Sequence, residues 1–223
     1  MTLLLTVLLS AAQAAPRHER SVGNEVSLEI GTLSGADDTF KLLTGDDAVT
    51  TRGLRGAYGL TDHVSVMGGI HHAAFGSTVD YYSARTTWDG AESGGMALYL
   101  TQFTLGPKLH FEPRERLSVY GTVQGELLHG VLKMDSNIDE PDSAIESRLR
   151  DSAPGGLAAL GVEILPFHVG KASVGTHLEM GYAAAFALRF TDEAGVDPAG
   201  EPLAVGDVEA RGFHLRWGLG VRF

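Results

Sequence analysis

Apolar and polar residues alternate along most of this chain with a period of two, the period of a β-strand with two distinct faces. The pattern is most regular in Arg211 to Phe223. Phe213, Leu215, Trp217, Leu219, Val221 and Phe223 share one face, while Gly212, His214, Arg216, Gly218, Gly220 and Arg222 share the other. Seven earlier segments repeat the rhythm: 22–32, 50–60, 63–75, 96–111, 117–134, 155–165 and 172–190. Their connections alternate in length. They are short at Thr61-Asp62, at Glu112 to Arg116 and at Pro166 to Lys171, and long at 34–48, 76–95, 135–154 and 191–210. Segments joined that tightly pair as antiparallel hairpins. The expectation is eight strands.

Each segment is long enough to cross a bilayer as a tilted strand, which takes about 9 to 11 residues. No segment beyond the N-terminal leader is apolar for the length of a transmembrane helix, and in lipid only helices and closed barrels satisfy every backbone polar group. The pattern therefore predicts an all-β fold, an eight-stranded antiparallel up-and-down transmembrane β-barrel. Two positions strain the scheme. Pro107 lies inside the fourth segment and removes a ladder donor, so a bulge or an early exit from the membrane is expected there. His129 falls on the lipid parity of the fifth, placing it above the bilayer or beside a bulge at Gly125 or Gly130.

Composition adds location. Residues 1–14 read as a secretory signal, with an apolar run from Leu3 to Leu9 and Ala12 and Ala14 as small residues before the cleavage point, leaving 15–223 as the barrel domain. No Lys or Arg precedes the apolar run. The chain has no cysteine, which excludes disulfides, thiolate metal sites and lipid attachment through a lipobox. The net charge is −11 and mean hydropathy is +0.02. The four long connections hold 19 acidic and 4 basic residues, so the acidity belongs to one end of the barrel. Aromatic residues gather near strand ends, Tyr58, Phe111, Phe167 and Phe223 at one level and Phe75, Tyr81, Tyr82, Trp88, Phe190 and Phe213 at the other, as two headgroup girdles require.

The non-apolar face carries the candidate chemistry. Glu25, Glu29, Arg55, Glu126, Glu163, His177, Glu179, Arg189, His214, Arg216 and Arg222 share the parity assigned to the lumen, with His71, Gln102, Lys108, Tyr120 and Gln124. Buried charges must be paired and hydrogen-bonded, so these residues are expected to form a structural network plugging an interior that eight strands leave just wide enough for side chains. A soluble barrel would show scattered Lys, Glu, Thr and Ser on its polar face and no segregation of its loops. Arg216 and Arg222 are expected to meet Glu25 and Glu29 on the neighbouring first strand.

Sharper chemistry is weaker. Asp135 to Glu146 spaces its acids and amides like a calcium loop, but Glu140 stands where that loop requires Gly and no helices flank it. His71 and His72 point to opposite faces and cannot chelate one ion. No catalytic residue, cofactor site or metal site is assigned, and nothing suggests a nucleic-acid partner.

Strand rhythm, loop asymmetry, leader and terminal Phe together resemble the small OmpA-type family of bacterial outer-membrane barrels, over 22–223. The resemblance implies an outer-membrane location with both termini periplasmic, and a last strand, carrying Trp217 and Phe223, read as the assembly signal by the barrel-insertion machinery. The implied surroundings are outer-membrane lipid and lipopolysaccharide, and the acidic loops would face an extracellular partner. No peptidoglycan-binding domain is expected after the last strand. The expected role is structural or surface interaction without enzymatic activity. The alternatives are a narrow solute channel or a lipid A-modifying enzyme of the deacylase kind, which uses a His-x-Ser pair. His63-Val-Ser65 matches that pair by letter but sits at the short-turn end.

Overall fold

The computed structural model describes residues 23–35, 40–41, 46–81, 92–111, 116–136, 146–196 and 202–223. The expected signal lies outside them, as does most of the calcium-like loop. Among these described residues there are ten strands: β1 (Glu25–Ser34), β2 (Ala48–Gly59), β3 (Val64–Tyr81), β4 (Glu92–Phe111), β5 (Leu117–Ser136), β6 (Glu146–Val169), β7 (Ala172–Ala185), β8 (Leu188–Val196), β9 (Pro202–Val208) and β10 (Arg211–Arg222). Eight close an antiparallel barrel in the order β1-β10-β7-β6-β5-β4-β3-β2, and β8 pairs only with β9. Closure depends on the first and last barrel strands: Glu25 lies opposite Arg222 and Gly31 opposite Arg216, so no edge remains.

The wall is inverted relative to a soluble protein. Leu54, Ile70, Leu105, Val123, Leu160, Met180, Leu215 and Trp217 are exposed on the outside, while Glu29, Lys108, Glu179 and Arg216 are buried within. Lipid is the solvent such an outer face needs. Asn24, Phe223 and the tight β2–β3 and β6–β7 hairpins lie at one end of the barrel, here the turn end; the opposite end is here the loop end.

Three expectations are corrected, and at His129 one of two alternatives is excluded. The last long connection is not simply a loop, because 188–196 and 202–208 form the β8–β9 hairpin. Strands β3 to β6 also run further toward the loop end than their apolar alternation does. At Pro107 there is neither a bulge nor an exit. The β4–β5 register is the same at Leu105↔Gly125 and Lys108↔Thr122, and the Thr122 hydroxyl donates to the Pro107 carbonyl at 2.9 Å. The bulge sits instead between Ile164 and Phe167, around Pro166, which lets β6 continue to Val169 and shortens the turn to Gly170-Lys171. Gly170 takes the left-handed conformation (φ 64°) that this tight turn requires. At His129 no bulge shifts the register, since Leu117↔Ile164 and His129↔Ser152 share it. Its outward imidazole is satisfied by the Ser152 hydroxyl at 2.8 Å.

Candidate functional site: the filled lumen

All eight barrel strands contribute to one buried polar network. It is built around Arg55 of β2, whose guanidinium reaches Glu29 at 2.8 Å, Glu179 at 2.9 Å and Glu25 at 3.7 Å. A planar guanidinium suits this site because its donors point in several directions at once. Glu29 lies between two imidazoles, with His71 Nε2 at 2.5 Å and His177 Nε2 at 2.6 Å. Tyr120 donates its hydroxyl proton to Glu179 at 2.9 Å and accepts from Arg55 at 3.3 Å.

Toward the turn end, Lys108 and Arg222 both bond Glu163, and they approach Glu25 at 3.2 and 3.6 Å. Toward the loop end, Arg216 lies 3.6 Å from Glu179 and donates to the Gln102 carbonyl at 2.7 Å; the Gln102 amide then donates to Glu126 at 2.8 Å. His214 lies 3.4 Å from Glu179. Five carboxylates thus face four permanent cations, and Glu126 alone among them has an amide between itself and the nearest guanidinium.

Glycines make room for the rings. His71 lies across the ladder from Gly53, Tyr120 from Gly161, His177 from Gly218 and His214 from Gly181. A Cβ at any of these four glycines would collide with the facing ring. Ring and glycine therefore alternate around the lumen, the pairing by which an aromatic ring covers bare backbone.

Above the polar layers the lumen changes character. Leu33, Leu98, Leu100, Leu128, Leu132 and Leu149 point inward and cluster with Leu188, Phe190 and Val208 of the β8–β9 hairpin. The hairpin is held in the mouth by the Arg189 amide, which donates to Asp151 at 2.6 Å, and Leu188 and Phe190 fill the space over Gly130 of β5. The plug is therefore polar below and apolar above. The alternation argument missed the upper layer, although β4 and β5 signal it with residues apolar on both parities, Leu98-Tyr99-Leu100 and Leu127-Leu128. Beside Glu25, Glu163, His177 and Arg222 a residual cavity of about 10 Å³ remains, close to the lower limit for one water.

Ten of the eleven lumen residues singled out from the sequence lie in this network. Arg189 does not: it belongs to the hairpin, its side chain is 77% exposed, and it pairs at 3.7 Å with Asp207. The hairpin breaks away from β7 at 186–187, which ends the lumen parity before Arg189. The partners expected for the β10 arginines also change. Arg222 does reach Glu25, but Arg216 lies opposite Glu179 on β7 and Gly31 on β1, so its carboxylate comes from the other neighbour.

His63, from the His-x-Ser match, is exposed, and Ser65 instead contacts His110 Nε2 at 3.2 Å, with Ser118 on the other ring nitrogen at 3.0 Å. That chain has no carboxylate to orient its imidazole. Among the described residues, no group of three His, Asp or Glu is arranged to hold a metal ion. A concavity of about 590 Å³ is a furrow on the outer wall, lined by Pro107, Leu109, Val123, Leu160, Met180 and Phe213 among others. It opens to lipid and not to the lumen.

Closed strand order, apolar exterior and charged interior describe a barrel for a membrane. Residues 1–223 match the family described as outer membrane protein beta-barrel domain. The chain belongs to that family. Its members' location, the outer membrane, accounts for the inverted wall. No curated protein matches the chain. Among solved structures it is similar to the outer membrane protein OprG from Pseudomonas aeruginosa, at 16% identity over 92% of this chain and 97% of that one, with a TM-score of 0.53. Lower similarity links it to Ail, the attachment invasion locus protein of Yersinia pestis, in complex with a heparin analogue (17% identity, 90% and 97% coverage, TM-score 0.42). It is also similar to the outer membrane protease OmpT from Escherichia coli (9%, 94% and 99%, 0.39). At 16% identity the likeness to OprG is one of fold.

Proposed function

We propose that this outer-membrane barrel is a sealed, non-enzymatic scaffold that holds its acidic loop end at the cell surface for structural or adhesive contacts. The observation that carries the reading is the doubly closed lumen, a charge network from all eight strands beneath an apolar cap. Among the described residues the side chains of both layers are buried, and wide channels belong to barrels of sixteen or more strands. The turns and both termini then lie in the periplasm, the arrangement usual for barrels with short turns at one end and long loops at the other. The barrel-insertion machinery would engage β10 through Trp217 and Phe223.

Planar-bilayer recording of the purified chain tests the reading. A membrane that stays electrically silent supports it, and steady unitary currents would replace it with the narrow-channel alternative. The lipid A-modifying alternative is disfavoured by the Ser65–His110–Ser118 chain, which lacks an orienting acid and lies at the turn end. Mass spectra of lipid A from cells with and without the protein separate the two, since an enzyme changes acylation and a scaffold does not.

A further inference from the structure

One lumen carboxylate lacks what the others have. Glu25, Glu29, Glu163 and Glu179 each meet a lysine or an arginine. Glu126, only 5% exposed, meets neither. Its Oε1 accepts from the Gln102 amide at 2.8 Å, and its Oε2 is buried without a hydrogen-bond partner. The Gln102 carbonyl is taken by Arg216 at 2.7 Å, so the amide stands between Glu126 and that charge. A buried carboxylate so placed must either take up a proton or be met by a cation. Among the described residues no side chain supplies one.

Glu126 lies at the boundary between the polar and apolar layers. It is the last polar inward residue of β5 before the apolar layer, with Leu128 next on the same face. Buried Thr104 lies opposite it on β4, where Leu100 follows Gln102, and Ala153 and Leu149 continue the inner face of β6 above Gly155. A carboxylate and a hydroxyl thus floor a well with apolar walls. The side chains that fill this well come from outside the barrel ladder. They are Phe40, from the β1–β2 connection, and Leu188 and Phe190 of the hairpin, all buried. Gly35 makes room for the Phe40 ring, which a Cβ there would strike. The base of the hairpin is fixed, since the Ala185 amide donates to the Ala210 carbonyl at 3.1 Å and the Phe186 amide to the Pro154 carbonyl at 2.9 Å. Strand β8 pairs only with β9. The fillers can therefore leave without breaking a barrel ladder, and segments held in this way open locally at the least cost.

We infer that the well over Glu126 is a binding site for a protonated amine carried on an apolar chain, with Phe40, Leu188 and Phe190 as the built-in occupants it displaces. The ammonium donates to the unpartnered Glu126 oxygen and to the Thr104 hydroxyl, and the chain replaces the displaced side chains among the leucines. Charge selects this class of ligand. An anionic amphiphile would add a negative charge beside a carboxylate that already lacks a cation. A bare hard cation fits poorly, because calcium, for example, takes about six to eight oxygens and the open side of this floor is hydrocarbon. The charge network around Arg55 lies below the well and is not disturbed, so the site is a dead end and not a channel.

The test is titration calorimetry of the full chain in uncharged detergent with n-octylamine, n-octanol, octanoate or ammonium chloride, each corrected by the same titration into empty micelles. Octylamine should bind saturably, one per barrel, and the other three should give no heat beyond that of the micelles. Glu126→Gln should weaken octylamine binding at least about thirtyfold, the loss expected when one partner of a buried charge pair is removed. Phe190→Ala, which removes a competing filler, should strengthen it about tenfold or more. Both variants should keep heat-modifiable gel migration. Equal binding of octanol, octanoate or ammonium ion overturns the site, as does undiminished binding by Glu126→Gln or unstrengthened binding by Phe190→Ala. If Glu126→Gln does not fold, the wild-type comparison of octylamine with octanol still decides. Planar bilayers should stay silent with octylamine present, and an amine-dependent current would overturn the dead-end well.

Discussion

Glu179→Gln against Glu126→Gln measures what the lumen network contributes. The two carboxylates face the same lumen but differ in surroundings. Glu179 meets Arg55 at 2.9 Å, Arg216 at 3.6 Å and the Tyr120 hydroxyl at 2.9 Å. Glu126 accepts only from the Gln102 amide at 2.8 Å. Removing one partner of a buried ion pair costs about 3–5 kcal/mol, because the other charge stays behind uncompensated. Arg55 keeps Glu29 at 2.8 Å, so the loss falls on Arg216 and is placed at the lower end, about 3 kcal/mol. Glu126→Gln exchanges one hydrogen-bond acceptor for another and should cost under about 1 kcal/mol. In urea unfolding of the refolded barrel, with slopes of about 1–3 kcal/mol/M, Glu179→Gln should lower the midpoint by about 1–3 M and Glu126→Gln by a fraction of that. Adding Arg216→Met to Glu179→Gln should recover part of the loss, since the stranded cation goes with it. Equal midpoints for the two single variants would refute the reasoning.

Other outcomes follow from the same geometry. Gly161→Val places a branched side chain in the Tyr120 ring and should abolish heat-modifiable folding, whereas Gly156→Ala, whose Cβ would rest 3.7 Å from the nearest atom, should fold normally. Phe190→Ala, which empties a fully buried site in the cap, should cost about 3–5 kcal/mol in the same urea assay yet leave bilayers silent, because the polar layers still close the lumen. Phe223→Ala should slow assembly in cells while leaving refolding into detergent unchanged; equal slowing in both would assign the residue to folding and not to recognition by the insertion machinery.

The strands were legible because one force acts on them throughout. Lipid outside and a narrow polar interior impose a period-two pattern, and Arg211 to Phe223 displays it along its whole length. Register within the barrel was less legible. Alternation assigns Arg216 to the lumen but cannot say whether it turns toward β1 or β7, and Gly31 opposite it on β1 leaves the carboxylate on β7 to claim it. The hairpin was missed for a different reason. Leu188 and Phe190 continue the alternation of β7 in sequence, but the chain breaks at 186–187 and the same residues fold over the lumen, so Arg189 reads as a lumen residue and is not one. Proline misled in a similar way. Pro107 faces outward, with its carbonyl bonded by Thr122, and is absorbed without a bulge, whereas Pro166 near the turn takes the bulge because the strand there is about to end.

The account rests on the wall being apolar side out, and Trp217 reports on that directly. It stands 45% exposed at about mid-height on β10, and the only other tryptophan is Trp88. In a Trp88→Phe background reconstituted in bilayers, Trp217 should emit at short wavelength, lose most of its fluorescence to lipids brominated on their acyl chains, and be little affected by aqueous iodide. Long-wavelength emission quenched by iodide and indifferent to brominated lipid would contradict the account.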